Sequence, residues 1–230
     1  MAKNELGIWC AGRFLQAVNW TEHEWGIPSE GLLGQIPTTV LLAREYLPKT
    51  IAFGTGASQK GGVLEADYIY QYLMDNFEKL TEFPQFQDMN LFGLSRLANF
   101  IYRSAVRETK SQNTAQEIEY VAKIFDANGI GRMMAVANPD HISRCYQLAH
   151  QIGQKVPLEC LQTGHIFAAQ SAVGYNGTAN ITSKIVEMPH RGDDKSPNLA
   201  STIGSYFGLP VEAKEEYFKF SQEFFSKYKK

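Results

Sequence analysis

The sequence predicts a three-layer α/β/α, Rossmann-like domain on a mainly parallel sheet, and three observations carry that expectation. Short apolar runs of strand length alternate with longer segments whose apolar residues recur every three or four positions. Glycine, asparagine and proline punctuate the joins. Polar residues collect just after the apolar runs, where an open parallel sheet exposes its loops and helix amino termini. Repeated strand–helix alternation implies crossover connections, hence parallel strands covered by helices on both faces.

Residues 6–11 (LGIWCA) read as a first buried strand. A helix over 38–46 is closed by Pro48, and residues 50–53 (TIAF) form a second strand running into Gly54-Thr55-Gly56. After Gly61-Gly62 a helix follows, with Val63, Ala66, Tyr70, Leu73 and Phe77 on one face. A third strand is predicted at 102–106, then a helix over 113–128 that buries Ile118, Val121, Ala122 and Phe125 and stops at Gly129. Residues 133–137 are the fourth strand, and the helix after it turns Ile142, Cys145, Ala149 and Ile152 inward. Further strands are expected at 156–161 and 184–188, with an aromatic-rich helix over 211–228. The whole chain, 1–230, reads as one domain with an insertion at about 76–103 and a divergent part at about 164–230. The insertion is too apolar to stay in water and is expected to border the ligand pocket as a partial cover.

Composition narrows the function classes. With 44% hydrophobic residues the chain can bury a sizeable core. Twenty-two basic against 24 acidic residues leave a net charge of −2, which argues against a nucleic-acid partner and against an anionic membrane surface. Cys10, Cys145 and Cys160 are too few and too scattered for a disulfide framework or a cysteine zinc site. No apolar run approaches the ~20 residues that span a bilayer, and the first residues do not read as a signal peptide. A soluble, cytoplasmic protein is the expectation.

Five polar clusters then stand out. Gly12 and Arg13 follow the first strand; the glycine turn Gly54-Thr55-Gly56, and then Glu65, follow the second. Glu108, Ser111, Asn113, Thr114 and Glu117 follow the third, and Asn138, Asp140, His141 and Arg144 the fourth. The charged turn at 189–194 follows the sixth. The glycines lack the Walker lysine and the dinucleotide spacing, so they fit either a tight turn or an anion cradle. Asn113 is a good cap, and Thr114 with Glu117 has capping-box spacing. Arg144 in a first helical turn opposes the macrodipole unless an anion is near, and His141 shares its face. There is no His-Glu-x-x-His and no Gly-x-Ser-x-Gly, which argues against zinc hydrolysis and serine hydrolysis.

Four stretches, in this order and on these elements, resemble the YdcF-like family, which includes SanA- and ElyC-type envelope proteins. They are Phe53-Gly54-Thr55-Gly56, Leu64-Glu65-Ala66, Glu108-x-x-Ser111-x-Asn113-Thr114-x-x-Glu117, and Asp140-His141-x-x-Arg144. The resemblance spans about residues 6–154; segment 76–103 is longer than that family's usual connection, and 164–230 has no counterpart. It implies a Rossmann-like three-layer fold, the branch without a membrane anchor, and S-adenosylmethionine as a suggested ligand.

Together these readings predict a protein that binds, or an enzyme that acts on, an anionic small molecule that is nucleotide-like or a phosphorylated sugar. Gly12, Arg13, Gly54, Thr55, Gly56, Ser111, Asn113, Thr114, Asn138, Asp140 and Arg144 are the candidate binding residues. His141, Glu65 and Glu108 are the candidate catalytic groups, since an imidazole with an unperturbed pKa near ~6.5 suits proton transfer at neutral pH. S-adenosylmethionine and a divalent cation held by the acids are the cofactors left open. The alternative is a non-catalytic ligand sensor or partner-binding regulator. Oligomeric state is undetermined by the sequence.

Overall fold

A computed structural model describes residues 4–17 and 19–173, which belong to one compact unit, Met1–Gly177. Its centre is a five-stranded, all-parallel sheet of β1 (Glu5–Cys10), β2 (Thr50–Gly54), β3 (Ala105–Glu108), β4 (Ile130–Ala137) and β5 (Ile166–Gln170), in the order β3-β2-β1-β4-β5. The order reverses between β1 and β4. Register aligns the carboxyl ends: Cys10 pairs with Phe53 and Val136, Phe53 with Arg107, and Val136 with Ala169. The loops after all five strands therefore leave from one edge.

Alternation along the strands sends side chains to two faces, and each face has its own helices. Ile8, Cys10, Ile51, Phe53 and Val136 pack with α2 (Gln35–Tyr46), α3 (Glu65–Asp75) and α4 (Leu91–Ser104). Trp9, Ala52, Met133 and Ala135 pack with α5 (Thr114–Ala127) and α6 (Pro139–Gly153). The expected three-layer fold is what forms. A short helix α1 (Trp20–Glu24) and a two-stranded pair, Gly26–Ile27 with Leu32–Leu33, lie between β1 and α2, in a stretch that carried no expectation.

Four boundaries differ from expectation, each for a physical reason. Gly61 and Gly62 do not open a helix: with φ of +59° and +82° they turn a small hairpin, Gln59–Lys60 against Val63–Leu64, and α3 starts at Glu65. Val63 is consequently exposed. The strand expected at 102–106 is β3 at Ala105–Glu108, because the Leu94, Leu97, Ile101 repeat carries α4 on to Ser104. Residues 156–161, interrupted by Pro157, give only a 3-10 turn at Glu159–Leu161, and the fifth strand comes later as β5.

The fourth difference is the insertion. It folds as 3-10 turns Phe77–Glu82 and Pro84–Phe86 followed by α4, and Leu80, Phe83, Phe86 and Ile101 are fully buried in the same cluster as Ile51 and Phe53. It packs as a core layer against the sheet rather than standing apart from it. The strand expected at 184–188, the charged turn at 189–194 and the helix at 211–228 lie outside the described residues. Among the described residues no helix is long and apolar enough to cross a membrane.

Candidate functional site

At the reversal point the chain leaves β1 through Ala11, Gly12 and Arg13. Gly12 has to be glycine because a Cβ would stand 2.4 Å from Thr55 Cγ2 and 2.9 Å from the Thr55 backbone nitrogen. This close approach launches Arg13 across the crevice between β1 and β4. Its guanidinium donates to Asn138 Oδ1 at 3.1 Å and pairs with Asp140 Oδ2 at 2.9 Å, with both charged side chains only 10% exposed.

Asn138 is the hub on the β4 side. Its Nδ2 is within donating distance of the His23 and Val173 carbonyls and of Ser171 Oγ, at 3.1–3.2 Å, and its backbone N–H donates to Gln35 Oε1 at 3.1 Å. Gln35 Nε2 in turn donates to the Ala11 carbonyl. One buried glutamine at the start of α2 thus clips the ends of β1 and β4 together.

Four buried carboxyl groups lie along this edge, each on a different element. Glu117 on α5 accepts with Oε1 from Trp9 Nε1 at 2.8 Å and from the Gly12 N–H at 2.9 Å, and burial pushes its pKa up to about 7. Gly54 leaves room for it, since a Cβ there would lie 1.9 Å from Glu117 Oε1. Glu65, first residue of α3, accepts from Ser58 Oγ at 2.6 Å, and Ser58 Oγ accepts from the Leu15 N–H at 3.1 Å. Burial holds Glu65 well above the ordinary carboxyl range. Glu24 at the end of α1 is pushed up to about 8 by burial, against the pull of Arg13. Glu108 instead shapes the turn after β3, its carboxylate accepting from the Lys110 N–H at 2.7 Å and the Ser111 N–H at 3.1 Å.

The structure brings most of the expected residues to one edge. Gly12, Arg13, Asn138 and Asp140 meet at the reversal. Thr55 Oγ1 meets Ser111 Oγ, and Gly56 lets the β2 loop pass the Thr109 carbonyl, which a Cβ would approach to 2.1 Å. Arg144 reaches Thr114 Oγ1 at 3.4 Å, linking α6 to α5. His141 is half-buried in the first turn of α6, its backbone N–H bonded to the Asn138 carbonyl at 2.9 Å.

Other expectations are corrected. Glu108, a candidate catalytic group, commits its carboxylate to backbone N–H groups of its own turn. Asn113, by contrast, is the cap it was expected to be, accepting from the Gln116 N–H at 2.9 Å. Glu117 belongs to no capping box. Among the described residues no group of three or more His, Cys, Asp or Glu is placed to hold a metal ion, so Glu65, Glu108 and Glu117 do not converge as a cation site.

Sequence reading missed Glu24, Gln35 and Ser58 as parts of the site. Only Glu24 carried a signal, an acid on the helical face of Trp20 and beside Trp25. Comparison of the chain with protein-family models, with curated proteins and with solved structures finds no match in any of the three.

Proposed function

We propose that this edge binds an anionic small molecule, nucleotide-like or a phosphorylated sugar, and that the protein is a YdcF-like binding protein or enzyme acting on it. The observation that carries this reading is Arg13. It is a nearly buried cation at the point of strand reversal, where open parallel sheets take their ligands. Arg144 and the amino ends of α5 and α6 flank the same edge, so a phosphate or carboxylate there would meet two guanidinium groups and backbone N–H donors.

Arg13 is held by Asp140 and Asn138, so an entering anion competes with Asp140 for the guanidinium. The proton-transfer roles fall to His141 and Glu65; Glu108 becomes a positioning residue for the Ser111 turn. S-adenosylmethionine enters this reading through the family resemblance alone.

Calorimetric titration with inorganic phosphate and pyrophosphate tests it. Arg144→Ala and Arg13→Ala are each expected to weaken binding at least tenfold while the fold survives by circular dichroism. Absence of binding, or binding indifferent to both substitutions, overturns the reading. Incubation with phosphorylated sugars and nucleotides, followed by product analysis, separates an enzyme from a sensor that only binds.

A further inference from the structure

Buried polar atoms are nearly always hydrogen-bonded, so those that are not call for an explanation. Three of them share one interface. On α1, Trp20 and Glu24 are four residues apart and point to the same side. On α3, Glu65, Tyr68 and Tyr72 likewise share a face. The Trp20 ring meets Tyr68 and Tyr72 edge-on, each at 5.3 Å between centroids, and Glu24 lies close enough to Glu65 to raise its cost of ionisation. The two faces therefore look at each other. Trp20 Nε1, Glu24 Oε1 and Glu65 Oε1 are buried there without a hydrogen-bond partner, and the three residues are 6%, 0% and 1% exposed.

We propose that the α1–α3 interface is a subsite for the hydroxylated ring of the ligand, its hydroxyls donating to Glu24 and Glu65 and one of them accepting from the Trp20 N–H. The donor set favours hydroxyls over a metal ion or an ammonium group. One indole N–H demands an acceptor, which a cation lacks, and acids held protonated by burial match a neutral partner that both gives and takes hydrogen bonds. Glu65 is also tied through Ser58 to the loop that carries Arg13, so ring and anion would be read side by side.

This deepens the proposed function and rests on it, and the test separates the two. Inorganic phosphate, ribose 5-phosphate and glucose 6-phosphate are titrated against the wild type and against Glu24→Gln, Glu65→Gln and Trp20→Phe. The expected result is at least tenfold tighter binding of one sugar phosphate than of inorganic phosphate. That gain should fall by at least threefold in each variant, with phosphate affinity unchanged in Glu24→Gln and Trp20→Phe. Trp20→Phe removes the N–H together with the five-membered ring but leaves both carboxyl groups in place, so it answers even where a glutamate variant fails to fold. Phosphate binding without a sugar gain, or a gain untouched by Trp20→Phe, overturns the subsite and leaves the anion site standing. Failure of all three probes to bind overturns both.

Discussion

Glu117 makes the stability of this protein depend on pH in a direction opposite to that of a salt-bridged acid. Its carboxyl moves from an ordinary 4.5 to about 7 because burial penalises the charged form more than Trp9 Nε1 and the Gly12 N–H reward it. A raised folded-state pKa means that the folded chain holds the proton more tightly than the unfolded chain. The contribution is full below 4.5 and is lost as pH rises through 7. At 1.36 kcal/mol per unit the shift corresponds to about 3 kcal/mol across that window. Glu117→Gln keeps an Oε1 acceptor for both donors and cannot ionise. Its amide adds a pH-independent cost of about 1–3 kcal/mol where it meets no acceptor.

Urea unfolding of both proteins between about pH 4.5 and about pH 8 reads the effect, and because the Glu117 charge also raises Glu24 and Glu65, the difference includes the relief of that repulsion. The wild type should lose about 3 kcal/mol more than Glu117→Gln as pH rises. Parallel profiles would mean that Glu117 ionises inside the fold without cost, and the buried-acid account of this edge would be wrong.

Other consequences follow from the same contacts. Asn138→Ala strands the donor of Arg13 and the acceptors at His23, Ser171 and Val173 and should cost at least about 3 kcal/mol in urea unfolding; a loss below about 1 kcal/mol would show the hub to be dispensable. Cys10, Cys145 and Cys160 are fully buried, and burial drives the Cys10 thiol above its ordinary pKa, so a thiol reagent should label none of them in the native protein and all three in denaturant. Amides of residues 80–86 and 94–101 should be protected from hydrogen exchange without any ligand, because this segment is core; exchange there at unfolded-chain rates would restore the reading of it as a mobile cover.

The sheet was legible because its inner strands are buried on both faces and read as unbroken apolar runs, as in residues 6–11 and 133–137. β5 was not, although Ile166-Phe167-Ala168-Ala169 is apolar: it lies at the sheet edge among the described residues with Phe167 and Ala168 exposed, and the run is short and flanked by polar residues on both sides. Site residues after the strands were legible for the same reason as the strands: once the ends of β1, β2, β3 and β4 are placed, Arg13, Thr55, Ser111 and Asp140 follow. Gln35 was not, because nothing local distinguishes a buried glutamine from an exposed one. Gln35 acquires its role from Asn138, 103 positions along the chain, and from the Ala11 carbonyl, 24 positions back.

Glu117 shows how small an error separates a structural from a site reading. Taking Thr114 as the cap puts Glu117 at the third helical position, where an acid closes a capping box. The cap is Asn113, one residue earlier, so Gln116 takes that third position and its side chain accepts from the Gln112 N–H at 2.9 Å. One residue is roughly 100° of rotation about a helix axis. That rotation is the difference between an acid lying along the helix entrance and one aimed at the sheet, where Gly12 and Trp9 hold it. The spacing Asn-Thr-x-x-Glu is compatible with both frames. What decides between them is Gly54, whose missing side chain leaves the carboxylate the space that a Cβ would fill. A glycine at the end of one strand and an acid in the first turn of a helix, 63 residues apart, therefore make a single feature, and neither is informative without the other.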